Sequence, residues 1–104
     1  VSGAFAFGDD LLPGLAKLVE ECGEVLQVAG KFMMTHGSRA HWSGDLRRML
    51  LEEVADVEAA IVFFTRHNLD DQERRDMSRR VSAKVAKFEG WHADMGADPP
   101  PDLR

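Results

Sequence analysis

Apolar residues recur along most of this chain at alternating steps of three and four, the repeat of a helix with one covered side. Leu15, Leu18, Cys22, Val25, Ala29 and Phe32 form a first stripe, widened by Leu11, Val19, Leu26 and Met33. Asp9 or Asp10 is a good N-cap type and Pro13 suits a first turn, so a first helix is predicted from there to a stop at Gly37. A second stripe, Leu46, Met49, Leu50, Val54, Val57, Ile61 and Phe64, predicts a helix that starts near Ser43 or Asp45 and stops around "RHNLDD". A third runs through Met77, Val81, Val85, Phe88 and Trp91. It follows Asp70 and Glu73, which have the spacing of an Asp version of the capping box. The segment "HGSRAHWSGD", residues 36–45, reads as a loop. Long period-two alternation and Asn-Gly or Asp-Gly turns are missing, so no strands are predicted.

The expected fold is all-α: an antiparallel helical bundle in which the third helix and a partner subunit complete the first two. With 104 residues the chain fits one domain, with a core over about residues 10–95. The N-terminal "VSGAFAFG" and the Pro-rich "DPPPDLR" are expected to be mobile ends. Several broad apolar stripes exceed what so short a chain can cover by itself, so a homodimer or homotetramer is expected.

The net charge of −5 argues against nucleic-acid or anionic-membrane partners, both of which select a basic surface. No apolar run approaches the ~20 residues of a membrane span. Cys22 is the one cysteine, so no intrachain disulfide is possible, and it is expected to be a packed thiol. With no disulfide and no signal-peptide pattern, the cytoplasm is the expected compartment.

The acidic residues change the picture most. Glu21 and Glu24 are three apart beside the first stripe; Glu53 and Asp56 are three apart beside the second. Residues so spaced share a helix face. If the helices pack antiparallel, the two pairs meet at the edge of the seam and repel one another. A hard divalent cation, Mg²⁺ or Mn²⁺, relieves such repulsion because it takes oxygen ligands. Spacing alone leaves the alternative open: Glu pairs are common on solvated faces, and Lys17 and Lys31 are placed for ordinary ion pairs.

"EECGE", residues 20–24, followed by "EVAD", residues 53–56, resembles the EExxE–spacer–ExxD pattern of the MazG-like all-α nucleoside triphosphate pyrophosphohydrolases. "LVEECGEVLQVAGK" looks most like their compact phage and bacterial members, and the resemblance extends over roughly residues 11–92. It implies that Glu21, Glu24, Glu53 and Asp56 hold Mg²⁺ against a nucleoside triphosphate, with Glu20 accessory. It also implies water attack at the α-phosphorus, with Glu20 or Glu24 helping to deprotonate the water. The compartment it implies is a bacterial or phage-infected host cytoplasm. Gln27 stands where some members carry a further acid, which leaves one or two metals open.

A triphosphate calls for cations, and the resemblance points to basic residues of the third helix. Lys84 and Lys87 are the choices there, with Lys31 a weaker one; a solvated basic face is the alternative. Trp42, in the loop, is the candidate for stacking on a base, whereas Trp91 fits the core pattern. The four histidines lack HxxxH spacing, so zinc is not expected. Neither acidic helix carries the ExxH of di-iron bundles. The rival to an enzyme is a non-catalytic assembly or regulatory module with solvated acidic faces.

Overall fold

The computed structural model describes residues 8–38 and 40–98. All but Gly8 and Asp98 of the two expected mobile ends therefore lie outside the described residues. Three helices, α1 (Leu15–Met34), α2 (Leu46–Asn68) and α3 (Asp71–Asp94), make the fold all-α. Two strands of two residues each, β1 (Ala40–His41) and β2 (Gly44–Asp45), stand between α1 and α2. The chain divides into two compact units at Leu69–Asp70.

The first unit is a helical hairpin. Asn68, at the end of α2, donates from its side-chain amide to Pro13 O and Phe64 O, 2.8 Å each. A Cβ on Gly14 would come within 2.7 Å of the Phe63 ring and 3.8 Å of Phe64 Cα. The start of α1 thus lies against the end of α2, and the two helices run antiparallel.

The helix begins later than the sequence suggests, at Leu15 rather than near Asp9 or Asp10. Gly14 has φ 84°, a left-handed conformation that ends the preceding turns and admits glycine at little cost. Asp9 still serves as a cap, but from seven residues away: its carboxylate accepts from Ala16 N at 3.0 Å. At the other end the helix stops at Met34, and Gly37, with φ 80°, returns its N–H to Phe32 O at 2.9 Å.

The packed rows differ by a small rotation from the stripes read in the sequence. On α1 the covered or half-covered positions include Gly14, Leu18, Glu21, Val25, Val28 and Phe32. On α2 they include Leu46, Leu50, Glu53, Val57, Ala60 and Phe64. Each row alternates steps of four and three, the seam of a coiled coil. Among the described residues Val28, Leu46 and Ala60 are the buried hydrophobics, and Leu46 is fully enclosed. Val19, Cys22, Leu26 and Met33 on α1, and Val54 and Ile61 on α2, are exposed instead. Cys22 is therefore a free, exposed thiol and not a packed one. A Cβ on Gly23 would meet nothing within 4 Å among the described residues.

The expected loop contains a minimal antiparallel ladder, Ala40 with Asp45 and His41 with Gly44, with Trp42 and Ser43 at its tip. His41 Nδ1 lies 2.6 Å from Ser43 Oγ and accepts from Ser43 N at 3.1 Å. Gly44 takes φ 129°, which brings the chain back for pairing. Asp45 then caps α2, accepting from Arg47 N and Arg48 N.

The second unit is α3. Its start is the capping box read in the sequence: Glu73 N donates to Asp70 Oδ1 at 2.8 Å, and Asp70 N to Glu73 Oε1 at 3.0 Å. Asp76 bonds Gln72 and Arg79 within one face. Trp91, expected in the core, is exposed; its ring meets Phe88 at 5.6 Å. No helix among the described residues is long and apolar enough to cross a membrane.

Gly14→Ala should test the join between the helices. The substitution forces a left-handed residue against the Phe63 ring, and a loss of about 2 kcal/mol or more is expected. Thermal unfolding followed by circular dichroism should show a lower Tm, with the helical signal kept at low temperature.

Candidate metal centre

Two of the acidic residues occupy the seam itself. Glu21 takes the place between Leu18 and Val25, and Glu53 the place between Leu50 and Val57, where apolar residues stand at the neighbouring steps. Glu24 lies one turn on from Glu21. Glu21, Glu24 and Glu53 each offer a carboxylate oxygen, and these oxygens all lie within 4.8 Å of one another. All three side chains are half-covered.

The electrostatics follow from that placement. Glu21 Oε2 and Glu53 Oε2 are closed off from solvent and have no hydrogen-bond partner among the described residues. Loss of hydration pushes the Glu21 carboxyl above the usual carboxylate range, and the charges of Glu24 and Asp56 push it further. Glu53 is raised in the same way, first by desolvation, then by its hydrogen bond with Glu24 and by the charges of Glu24, Asp56 and Glu21. The first helix and the second thus hold like charges together, in part away from water.

The structure brings some of the candidate residues together and leaves others apart. Glu21, Glu24 and Glu53 form the cluster, while exposed Asp56 acts on Glu21 and Glu53 through its charge. Glu20 lies outside the cluster and pairs with Lys17 at 2.9 Å. Lys31 does not pair with the cluster acids as an ordinary salt bridge would have it; its Nζ lies 5.9 Å over the Trp42 ring. Trp42 is 90% exposed at the hairpin tip, with His41 5.2 Å from it. Lys84 and Lys87 belong to α3, where Lys87 Nζ lies 5.8 Å over Trp91.

The residues fit a hard cation. The donor set is all carboxylate oxygen, and two of its oxygens are turned from water without a partner. Such a set is of the hard, oxygen-only type that Mg²⁺ and Mn²⁺ accept. Sequence reasoning placed both acid pairs beside the stripes. What it missed is that one member of each pair lies within the packed row. The signal was present: Glu21 and Glu53 each complete a four-three heptad alternation that includes Val28 and Ala60.

Fold and site together define an antiparallel helical hairpin with a cluster of three carboxylates in its seam. No family model, curated protein or solved structure matches the chain.

The raised carboxyls give a pH dependence of known sign. Folding favours the protonated form of Glu21 and Glu53, whose ordinary value is 4.5. Their contribution is complete below that value and is lost as pH rises through the higher folded values. In chelator, the Tm should therefore fall from mildly acidic to neutral pH. Glu53→Gln should flatten that slope, and Mn²⁺ or Mg²⁺ should raise the Tm at neutral pH. Differential scanning calorimetry across the range measures all three.

Proposed function

We propose that this protein is a divalent-cation-dependent nucleoside triphosphate pyrophosphohydrolase of the MazG-like class, converting an NTP or dNTP to the monophosphate and pyrophosphate. One observation carries the reading: a packed seam gathers Glu21, Glu24 and Glu53, each with a carboxylate oxygen within 4.8 Å of the others, and Glu21 and Glu53 each keep a carboxylate oxygen closed off without a partner among the described residues. A fold that only needed solubility would turn those groups outward.

Glu21, Glu24 and Glu53, with Asp56 adjoining, would hold Mg²⁺ or Mn²⁺. When bound, the ion offsets phosphate charge and favours ionisation of water. In the proposed reaction a water oxygen bonds to the α-phosphorus, and the bond from that phosphorus to the bridging oxygen breaks. The pyrophosphate leaves with that bonding pair, and the water's proton passes to a carboxylate oxygen of Glu24 or Glu20. Trp42 is the proposed stacking surface for the base, with Lys31 over its ring. Lys31 stands seven residues after Glu24, on the same face and about 10 Å farther along the helix, a span suited to a nucleotide lying along α1. Lys84 and Lys87 carry the proposed role at the leaving pyrophosphate, which rests on the resemblance.

A screen of the common NTPs and dNTPs with Mg²⁺, run in ¹⁸O-labelled water, tests the reading. Label should appear in the nucleoside monophosphate and not in the pyrophosphate. Label in orthophosphate would make the protein an ordinary phosphatase. Folded protein that turns over nothing in Mg²⁺ would leave the assembly module as the better description. Glu53→Gln and Asp56→Asn should each reduce turnover by more than about 100-fold, since even outer-shell partners of a metal are worth about 10- to 100-fold. Both should keep the helical signal. Lys84→Ala or Lys87→Ala should reduce turnover with little effect on Tm.

A further inference from the structure

The tip of the short ladder carries a group that the proposed reaction does not use. His41 Nδ1 faces two groups of Ser43, the backbone N–H at 3.1 Å and the hydroxyl at 2.6 Å. An amide N–H only donates, so Nδ1 presents a lone pair and not a proton. The neutral imidazole then holds its proton on Nε2. That N–H, across the ring from the turn, has no partner among the described residues and is not closed off from solvent. Trp42 stands beside it, with the ring centroids 5.2 Å apart and the planes tilted by 35°. The turn thus fixes the proton of an open donor next to an open indole.

We infer that His41 selects nucleotides whose base carries a carbonyl oxygen at its outer edge, a role that rests on Trp42 stacking the base, as proposed above. An indole takes any base, because every base has a flat face. Selection must therefore come from an edge, and a base that overlaps the indole brings an edge to the imidazole at the same tip. Guanine presents O6 and N7 there, and uracil or thymine O4; adenine and cytosine carry an amino group in the place of that oxygen. Nε2–H meets an acceptor in the first set and another donor in the second. An imidazole able to exchange tautomers would accept from an amino group as readily as it donates to an oxygen, and Ser43 removes that choice. The neighbours offer no alternative: Lys31 Nζ, 5.9 Å over the same ring, and the indole N–H are donors as well. One hydrogen bond made in one set and missing in the other is worth about tenfold in affinity.

The test reads binding apart from turnover. Trp91→Phe leaves Trp42 as the one indole that reports. Its fluorescence is titrated in Mg²⁺ with the α,β-methylene analogues of GTP, UTP, ATP and CTP, whose bridging carbon bars the proposed cleavage. The GTP and UTP analogues should quench at about tenfold lower concentration than the other two. His41→Asn keeps an acceptor for Ser43 N–H near the place of Nδ1 and leaves no donor at that of Nε2. It should weaken the GTP and UTP analogues to the level of the ATP and CTP analogues, which change little. With His41 intact, the inosine analogue, which keeps O6, should bind like that of GTP, and the 2-aminopurine analogue, which lacks O6, like that of ATP. Should His41→Asn weaken all four alike, this last pair decides, and inosine bound no better than 2-aminopurine overturns the proposal. So does an absence of quenching, equal quenching by all four, or a preference that survives His41→Asn. Turnover is scored separately. Selective binding without hydrolysis of any NTP supports His41 and sinks the pyrophosphohydrolase reading; hydrolysis without selective binding does the reverse.

Discussion

The structure turns on two glutamates placed where leucines would pack. Glu21 and Glu53 sit in the facing rows of α1 and α2, and the helices close around them. Desolvation and mutual repulsion both oppose that arrangement, and both favour protonation of the pair. The neighbouring layers hold it in place: Val28 and Leu46 toward the loop, Ala60 and Phe64 toward the end clasped by Asn68. The hydrophobic seam is therefore a frame for a charge cluster as much as a core.

Much of this was legible in the residues, and the reasons are local. A capping box needs only a side chain and a backbone group three residues apart, so Asp70 and Glu73 announce the start of α3. The helices themselves follow from periodicity, and the convergence of Glu21, Glu24 and Glu53 from their spacing. The phase of each helix was harder to read. Cys22 and Val28 are both plausible seam residues by type, and a rotation of part of a turn exchanges them. What decides between them is packing against α2, which no local pattern contains.

Other features depend on contacts distant in the chain. Asp9 caps Ala16 only because Gly14 takes a left-handed conformation and folds the intervening turns back. Glycine permits that geometry without announcing it. The ladder at residues 40–45 is too short for any alternation to show, and its turn, Trp42–Ser43, lacks the usual glycine signature. Trp91 was misread for a related reason: its spacing matches a buried stripe, while its indole lies open on α3 beside Lys87.

The two tryptophans of the chain fall one to each unit, Trp42 at the tip of the hairpin's loop and Trp91 near the end of α3. Both indoles lie open and both have a lysine ammonium near the ring. Their emission can therefore be separated by replacing one ring at a time with phenylalanine. The molecule carries in its own composition a pair of optical reporters, one for the unit that holds the Glu21, Glu24 and Glu53 cluster and one for the other unit.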